Sequence, residues 1–290
     1  VKVFRERHGA DVVAPSRAEL DLTDAVAVRS AVEQHRPEAI VHSAILNDLG
    51  RLLTDRRAGW DAYVGATRNL ADAANAVGAK LVLISTDWVF DGTQAGASES
   101  TPPNPVNVYG VLKVASELVV TERADDGAVA RISGVNGVHW ARPESPRQQD
   151  AGFGYFVASL VDALSAGQPF VVWERDDINM VATPSLASEC AEHVWRIIDR
   201  DRQGVFHCCG GEAVGRRQLA RLAADVFELD PELLRSGPPG PDDVPPIRVP
   251  YDTSLTAPVT RAALDVELLS VRELLARFRT ERETGALAVS

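Results

Sequence analysis

Four short apolar runs without alternation constrain the fold of this chain most. They are Asp11–Ala14, Ala39–His42, Lys80–Ile84 and Ala128–Arg131. A strand with one wet face alternates apolar and polar residues, whereas a strand buried on both faces does not. Helical patterns separate the runs: Asp24–His35 with Thr23 or Asp24 as its cap, about Trp60–Val77, and about Val108–Glu122. Strand–helix–strand order predicts a parallel sheet with right-handed crossovers. The second half reads differently. Phe153–Ala166, Ser185–Ile198, Arg216–Phe227 and Leu268–Arg282 have helical periodicity, Gly204–Cys208 is a short strand, and Ser236–Pro241 is turn chemistry. The expectation is an α/β fold. A doubly wound parallel sheet spans residues 1–150, and a smaller, partly interwoven α/β lobe spans residues 151–290.

Composition narrows the function. The 290 residues carry a net charge of −11. That balance argues against general nucleic-acid binding, which needs a basic face to displace counterions. It leaves room for a local basic pocket. No run of 18 apolar residues occurs, so no membrane-spanning helix is expected, and Val1–Arg7 lacks the apolar core of a signal peptide. Three cysteines, two of them adjacent (Cys208 and Cys209), make no disulfide framework, and a reducing cytoplasm is the default.

Two stretches carry chemistry. Tyr109 and Lys113 lie four apart on an expected helix, which places both on one face. A nearby ammonium favours the phenolate, lowers the tyrosine pKa and lets it exchange a proton with a carbonyl. The alternative is a chance pair. Ser85-Thr86-Asp87-Trp88-Val89-Phe90-Asp91-Gly92 directly follows an expected strand, and ligands of open parallel sheets sit at the carboxyl ends of strands. A hydroxyl there can stabilise a carbonyl oxygen gaining charge; the bland reading is a turn that caps the strand.

Taken together, Ser85–Gly92 and Asn107-Val108-Tyr109-Gly110-Val111-Leu112-Lys113 resemble the dTDP-4-dehydrorhamnose reductase family, a branch of the extended short-chain dehydrogenase/reductases. The resemblance extends to Arg17–Asp24, to Arg36-Pro37-Glu38-Ala39-Ile40-Val41-His42-Ser43-Ala44, to Thr67–Ala71, and to Gly204–His207 with Gly210-Gly211. It covers most of the chain, more firmly before Val135. It implies a Rossmann-like first domain and NADPH, with NADH as the other candidate. It also implies reduction of a nucleotide-linked 4-keto-6-deoxysugar. Tyr109 is then the proton donor, Lys113 holds the nicotinamide ribose, and Thr86 orients the substrate carbonyl. Ser16 and Arg17 meet the adenosine 2′-phosphate, where a planar guanidinium suits the group. Asp21 and Leu22 flank the adenine, and Ser43, Ala44 and Ile45 line the cofactor. Ser133 and Gly134, with Ile132, approach the nicotinamide or substrate, while Asp87, Val89 and Phe90 bound the sugar site. A homodimer is compatible with the family.

The chain also departs from the family. The first strand and the Gly-rich turn that would hold a pyrophosphate are missing; the only early glycine is Gly9, and Lys2–Ala10 reads as the back half of the first helix. About 15–20 residues are expected to be lacking on typical element lengths. Two readings stay open, a foreshortened chain or a native loss that leaves no cofactor site. Tyr63 stands where the family has Asn and is expected to pack. Gly134-Val135 stands where Trp-Val is usual, which reshapes the sugar pocket. Two other functions remain: a regulatory subunit of the methionine adenosyltransferase β type, or a cofactor-independent enzyme using Tyr109 and Lys113 as acid and base. No His or Cys spacing suggests a metal site. His42, His193, His207 and the cysteines are expected to pack, Asp176-Asp177 to form a solvated turn, and Trp140–Arg147 is either a lid or an idle loop.

Overall fold

A computed structural model describes residues 1–46, 48–141, 148–241, 243–244 and 247–288. The N-terminal half contains helices α1 (Lys2–His8), α2 (Ala25–His35), α3 (Leu49–Thr54), α4 (Arg56–Trp60), α5 (Ala66–Val77) and α6 (Val108–Arg123), with strands β1 (Ala39–His42), β2 (Lys80–Thr86) and β3 (Gly127–Ile132). Then follow β4 (Val135–Asn136), α7 (Phe156–Ser165), β5 (Phe170–Trp173), β6 (Val181–Ala182), β7 (Ser185–Leu186), α8 (Ala187–Asp199), β8 (Gly204–His207), β9 (Val214–Gly215), α9 (Arg216–Val226), β10 (Leu234–Gly237), β11 (Asp252–Thr253), α10 (Pro258–Leu264) and α11 (Val271–Thr284).

The central sheet is parallel, in the order β1-β2-β3-β8. The inner strands β2 and β3 lack alternation because both their faces are covered, while edge strand β1 leaves Val41 exposed. Leu81 and Leu83 of β2 pack with Val28 and Val32 of α2 and Leu70 and Ala74 of α5. Val82, between them in sequence, packs on the other side with Val194 and Ile197 of α8 and Leu264 of α10. The fourth strand, β8, comes from the chain's second half, which interweaves the two parts. A separate core joins α7, α9 and α11 through Phe156, Leu160, Leu219, Ala223, Leu275 and Phe278.

Asp11–Ala14 is not a strand. Extended backbone needs a neighbouring ladder to satisfy its N–H and C=O groups, and among the described residues β1 pairs only with β2. Instead the Arg5 guanidinium takes up the Val12 carbonyl at 2.6 Å, and Val13 is 56% exposed. The expected helix Trp60–Val77 is broken by a π-turn at Asp61–Gly65. The cap of α2 is Asp24, whose carboxylate accepts from the backbone N–H groups of Val26 and Ala27. No element was expected at α3, β5 or α10, and Ser236 and Gly237, expected in a turn, end strand β10, where they pair with Val172 and Trp173 of β5. Of the loop Trp140–Arg147, read as either a lid or an idle loop, residues 142–147 lie outside the described residues.

Helix α6 begins hard against the turn after β2. Its cap, Asn107, accepts from the Gly110 N–H at 2.9 Å and donates from Nδ2 to the Arg248 carbonyl at 2.9 Å. A Cβ on Gly110 would collide with the Trp88 carbonyl oxygen and lie 2.8 Å from Pro105 Cβ. Alanine gains about 1 kcal/mol of helix propensity over glycine, but backbone overlap costs about 1–3 kcal/mol or more. Gly110→Ala is therefore expected to lower stability in urea denaturation. An unchanged or raised midpoint would show that α6 is not seated on that carbonyl.

Candidate active site

The carboxyl end of β2 meets one face of α6. Tyr109, Lys113 and Glu117 are spaced by four, so they project side by side, and between them they engage Ile84, Ser85 and Thr86 of the strand. The Lys113 ammonium donates to the Ile84 carbonyl at 2.7 Å. The Glu117 carboxylate accepts from the Ser85 hydroxyl at 2.5 Å. The Tyr109 hydroxyl is hydrogen-bonded with the Thr86 hydroxyl.

Behind this row the Glu117 carboxylate is held by Arg131 of β3, with Nε at 3.0 Å and Nη2 at 2.7 Å. Both side chains are buried. A fork-to-fork pair of this kind stands up to enclosure because each charge has its hydrogen bonds filled. On the other side Asp87 is enclosed by hydroxyls. Ser133 donates to its Oδ2 at 2.7 Å, Thr86 Oγ1 lies 3.1 Å from its Oδ1, and Thr253 also hydrogen-bonds it.

Burial governs the electrostatics. It pushes Tyr109 up to about 12, against the hydrogen bond from Thr86. The sequence expectation of a lowered value is therefore corrected for this site. The Lys113 ammonium is turned to the Ile84 carbonyl and lies 5.6 Å from the centre of the Tyr63 ring. Burial also lowers Lys113 to about 8, with Glu117 opposing it. His42, at the end of β1, is held down to about 4 by burial and by Lys113, and its Nδ1 has no hydrogen-bond partner among the described residues.

Thr86, Asp87, Tyr109, Lys113 and Ser133 thus come together. Ser133 reaches the group as a buried prop of Asp87. Gly134 follows it in a left-handed conformation (φ 46°), facing Phe153. Ser43, Ala44 and Ile45 form an exposed stretch after β1, with Ile45 43% exposed. Ser16, Arg17 and Asp21 lie at an exposed turn before α2. There Ser16 N–H donates to Glu19 at 2.7 Å and Asp21 accepts from Thr23. The Leu22 carbonyl is tied to Asn69 of α5 at 2.9 Å. No contact joins these four residues to the Tyr109 group among the described residues. Val89 and Phe90, expected to wall a sugar site, are fully buried with Leu255, Ala257 and Cys209, so their side chains support the turn from below.

Sequence reading missed several contributors. Tyr63 packs as expected, and in addition its ring stands edge-on to Tyr109 at 6.1 Å and beneath Lys113, and its hydroxyl donates to the Leu46 carbonyl at 3.2 Å. Trp88 meets Tyr109 edge-on at 5.9 Å. Glu117 carried a usable signal, since it continues the Tyr109–Lys113 spacing. Thr253 carried none. The three histidines and three cysteines are buried, and burial raises all three thiols. No group of three metal-binding side chains occurs among the described residues. No helix among them is long and apolar enough to cross a membrane.

Comparison with known proteins decides the family. Residues 2–282 match the family described as the RmlD substrate binding domain. The chain belongs to that family. Its fold is that of the Rossmann-like extended short-chain dehydrogenase/reductases. The crystal structure of dTDP-4-dehydrorhamnose reductase from Bacillus anthracis, in complex with NADP, superposes with a TM-score of 0.81 at 22% identity, covering 96% of this chain and 94% of that one. The dTDP-4-keto-6-deoxy-D-glucose reductase of Streptomyces niveus is 28% identical over 233 residues, 78% of this chain and 74% of that protein. Methionine adenosyltransferase 2 subunit beta of Rattus norvegicus is 29% identical over 221 residues, 76% of this chain. The match spans 64% of the length of that subunit.

The Lys113 environment has a consequence for stability. Between pH about 8 and 10.5 the unfolded chain holds the lysine proton and the folded chain does not. Stability therefore rises with pH through that window. Lys113→Met is expected to lack this rise relative to wild type in denaturant titrations at several pH values. Parallel pH profiles would show that the ammonium is not desolvated.

Proposed function

We propose that this protein reduces the ketone of a nucleotide-linked 4-keto-6-deoxysugar, with NADPH as the reductant. The observation that carries the reading is the Tyr109 hydroxyl bound to the Thr86 hydroxyl at the carboxyl end of β2, with the Lys113 ammonium one turn along. The reductase of Streptomyces niveus and the NADP complex from Bacillus anthracis support the same chemistry.

The nicotinamide end of a cofactor fits the residues present. The Lys113 ammonium has three N–H donors, and its hydrogen bond among the described residues takes one, to Ile84. Two donors remain for a ribose diol. Exposed Ser43, Ala44 and Ile45 follow the carboxyl end of the neighbouring strand β1, and Ser16 and Arg17 offer donors for a 2′-phosphate on a separate turn. Among the described residues no glycine-rich turn opens a helix at a pyrophosphate position. Bound NADPH would supply a hydride to the carbonyl carbon.

This chain's residues manage the oxygen. With its pKa near 12, Tyr109 is protonated at neutral pH and so enters as an acid. It gives its proton to the ketone oxygen as that oxygen gains charge. The phenolate left behind faces the Thr86 hydroxyl, with Lys113 one turn along the helix and largely charged at pH 7. Charge that develops in an enclosed site meets donors already in place.

A second reading, a regulatory subunit, is favoured by the similarity to the rat methionine adenosyltransferase subunit. One experiment separates the two. NADPH oxidation is followed with a dTDP-4-keto-6-deoxysugar, and NADPH binding by calorimetry. Tyr109→Phe is expected to lower kcat by about 10²–10⁴ while the cofactor Kd stays within threefold. Unchanged turnover in Tyr109→Phe would sink the mechanism. No turnover by the wild type, with co-purification of an adenosyltransferase catalytic chain, would favour the regulatory subunit.

A further inference from the structure

We propose that a proton on Asp87 sets the direction of the Thr86 hydroxyl, and so decides whether Thr86 and Tyr109 both donate toward a ligand oxygen. For its kinetic consequence this rests on the reductase reading above. Asp87 acts here as a positioning residue, through Thr86.

The argument is a count of protons and lone pairs. Thr86 Oγ1 has one proton and two lone pairs. It accepts from the Trp88 N–H at 3.2 Å, lies 3.1 Å from Asp87 Oδ1 and meets the Tyr109 hydroxyl. If Asp87 is ionised, its oxygens only accept. The Thr86 proton is then committed to Oδ1, and the remaining Thr86 lone pair takes the Tyr109 proton. Both hydroxyls point inward, and neither is offered to a ligand. If Asp87 is protonated, the arrangement reverses. Ser133 already donates to Oδ2 at 2.7 Å and Thr253 also partners the carboxyl; we place the proton on Oδ1, where Thr86 Oγ1 at 3.1 Å accepts it. The second Thr86 lone pair is filled, its own proton turns outward, and Tyr109 is released to donate as well. Each state satisfies every bond at Thr86, so the two are discrete alternatives.

The surroundings favour the protonated state. Asp87 is 5% exposed. Its partners Thr86, Ser133 and Thr253 are hydroxyls, and no ammonium or guanidinium is among them. The titratable groups that face it are Tyr109 of α6 and Cys209 after β8, both uncharged at neutral pH because burial raises each. The Arg131 guanidinium is engaged by Glu117. An isolated buried carboxylate is costly and takes up a proton instead.

Infrared spectroscopy and kinetics on the full chain test this together. A protonated carboxyl has a C=O stretch separate from that of a carboxylate. The wild-type spectrum at neutral pH is expected to contain such a band that Asp87→Asn lacks. Thr86→Val, which removes the acceptor of the Asp87 proton, is expected to shift that band upward. In turnover, the wild type loses kcat as pH rises through the loss of the band. Asp87→Asn, whose amide donates at every pH, is expected to lack that alkaline limb and to lose less kcat than Asp87→Ala, which falls by about 10². Absence of the band at neutral pH, an unshifted band in Thr86→Val, or an alkaline limb kept in Asp87→Asn each overturns the proposal. If the wild type reduces no keto sugar, the reductase reading fails by itself, and the infrared bands still decide where the Asp87 proton points.

Discussion

The seating of α6 on the end of β2 is the contact on which the rest of the site depends. The helix can approach because residue 110 has no side chain to strike the Trp88 carbonyl. Asn107 starts it at that point by capping the Gly110 N–H. Once the helix is seated, its four-residue repeat does the remaining work. Tyr109, Lys113 and Glu117 fall in register with Thr86, Ile84 and Ser85. A displacement of the helix by one residue would break all three contacts at once, because the side chains share one face.

Low exposure then decides the charge states. A phenol beside an ammonium should ionise more easily in water, yet Tyr109 is raised, because the cost of burying a phenolate exceeds the help of the Thr86 hydroxyl. Lys113 moves in the opposite direction for the same reason. The buried pair of Glu117 with Arg131 is bidentate. Its partner interactions at Ser85 and at His207, 3.5 Å from the Arg131 guanidinium, leave few donors unfilled. Asp87 has hydroxyls alone around it, and that contrast between two neighbouring carboxylates separates a structural anchor from a group able to carry a proton.

Much of this was legible in sequence. The runs Ala39–His42, Lys80–Ile84 and Ala128–Arg131 are strands; the second and third are buried on both faces, as the missing alternation required, whereas β1 leaves Val41 37% exposed. The Tyr109–Lys113 spacing placed both side chains on one face. The Asp11–Ala14 run has the same composition and is not a strand, because a ladder depends on a neighbour and composition cannot supply one. Tyr63 packs as read, in the core with Leu52 and Leu112, but it lies in a π-turn with its ring 5.6 Å from Lys113, and helical periodicity carries no sign of such a turn. Val89 and Phe90 belong to the same motif as Thr86 and Asp87, yet strand geometry and the turn send their side chains into the core.

The sequence alone determined the parallel α/β architecture, the family, and the pairing of Tyr109 with Lys113. These depend on local pattern: periods of two and four, caps, and a motif of contiguous residues. The tertiary structure decided which residues surround that pair and how they are charged. Thr253 reaches Asp87 and Arg131 reaches Glu117 only because β11 and β3 are folded against the end of β2. Desolvation, the largest influence on Tyr109, Lys113 and Asp87, is a property of everything packed around a group. It has no local signature in the chain.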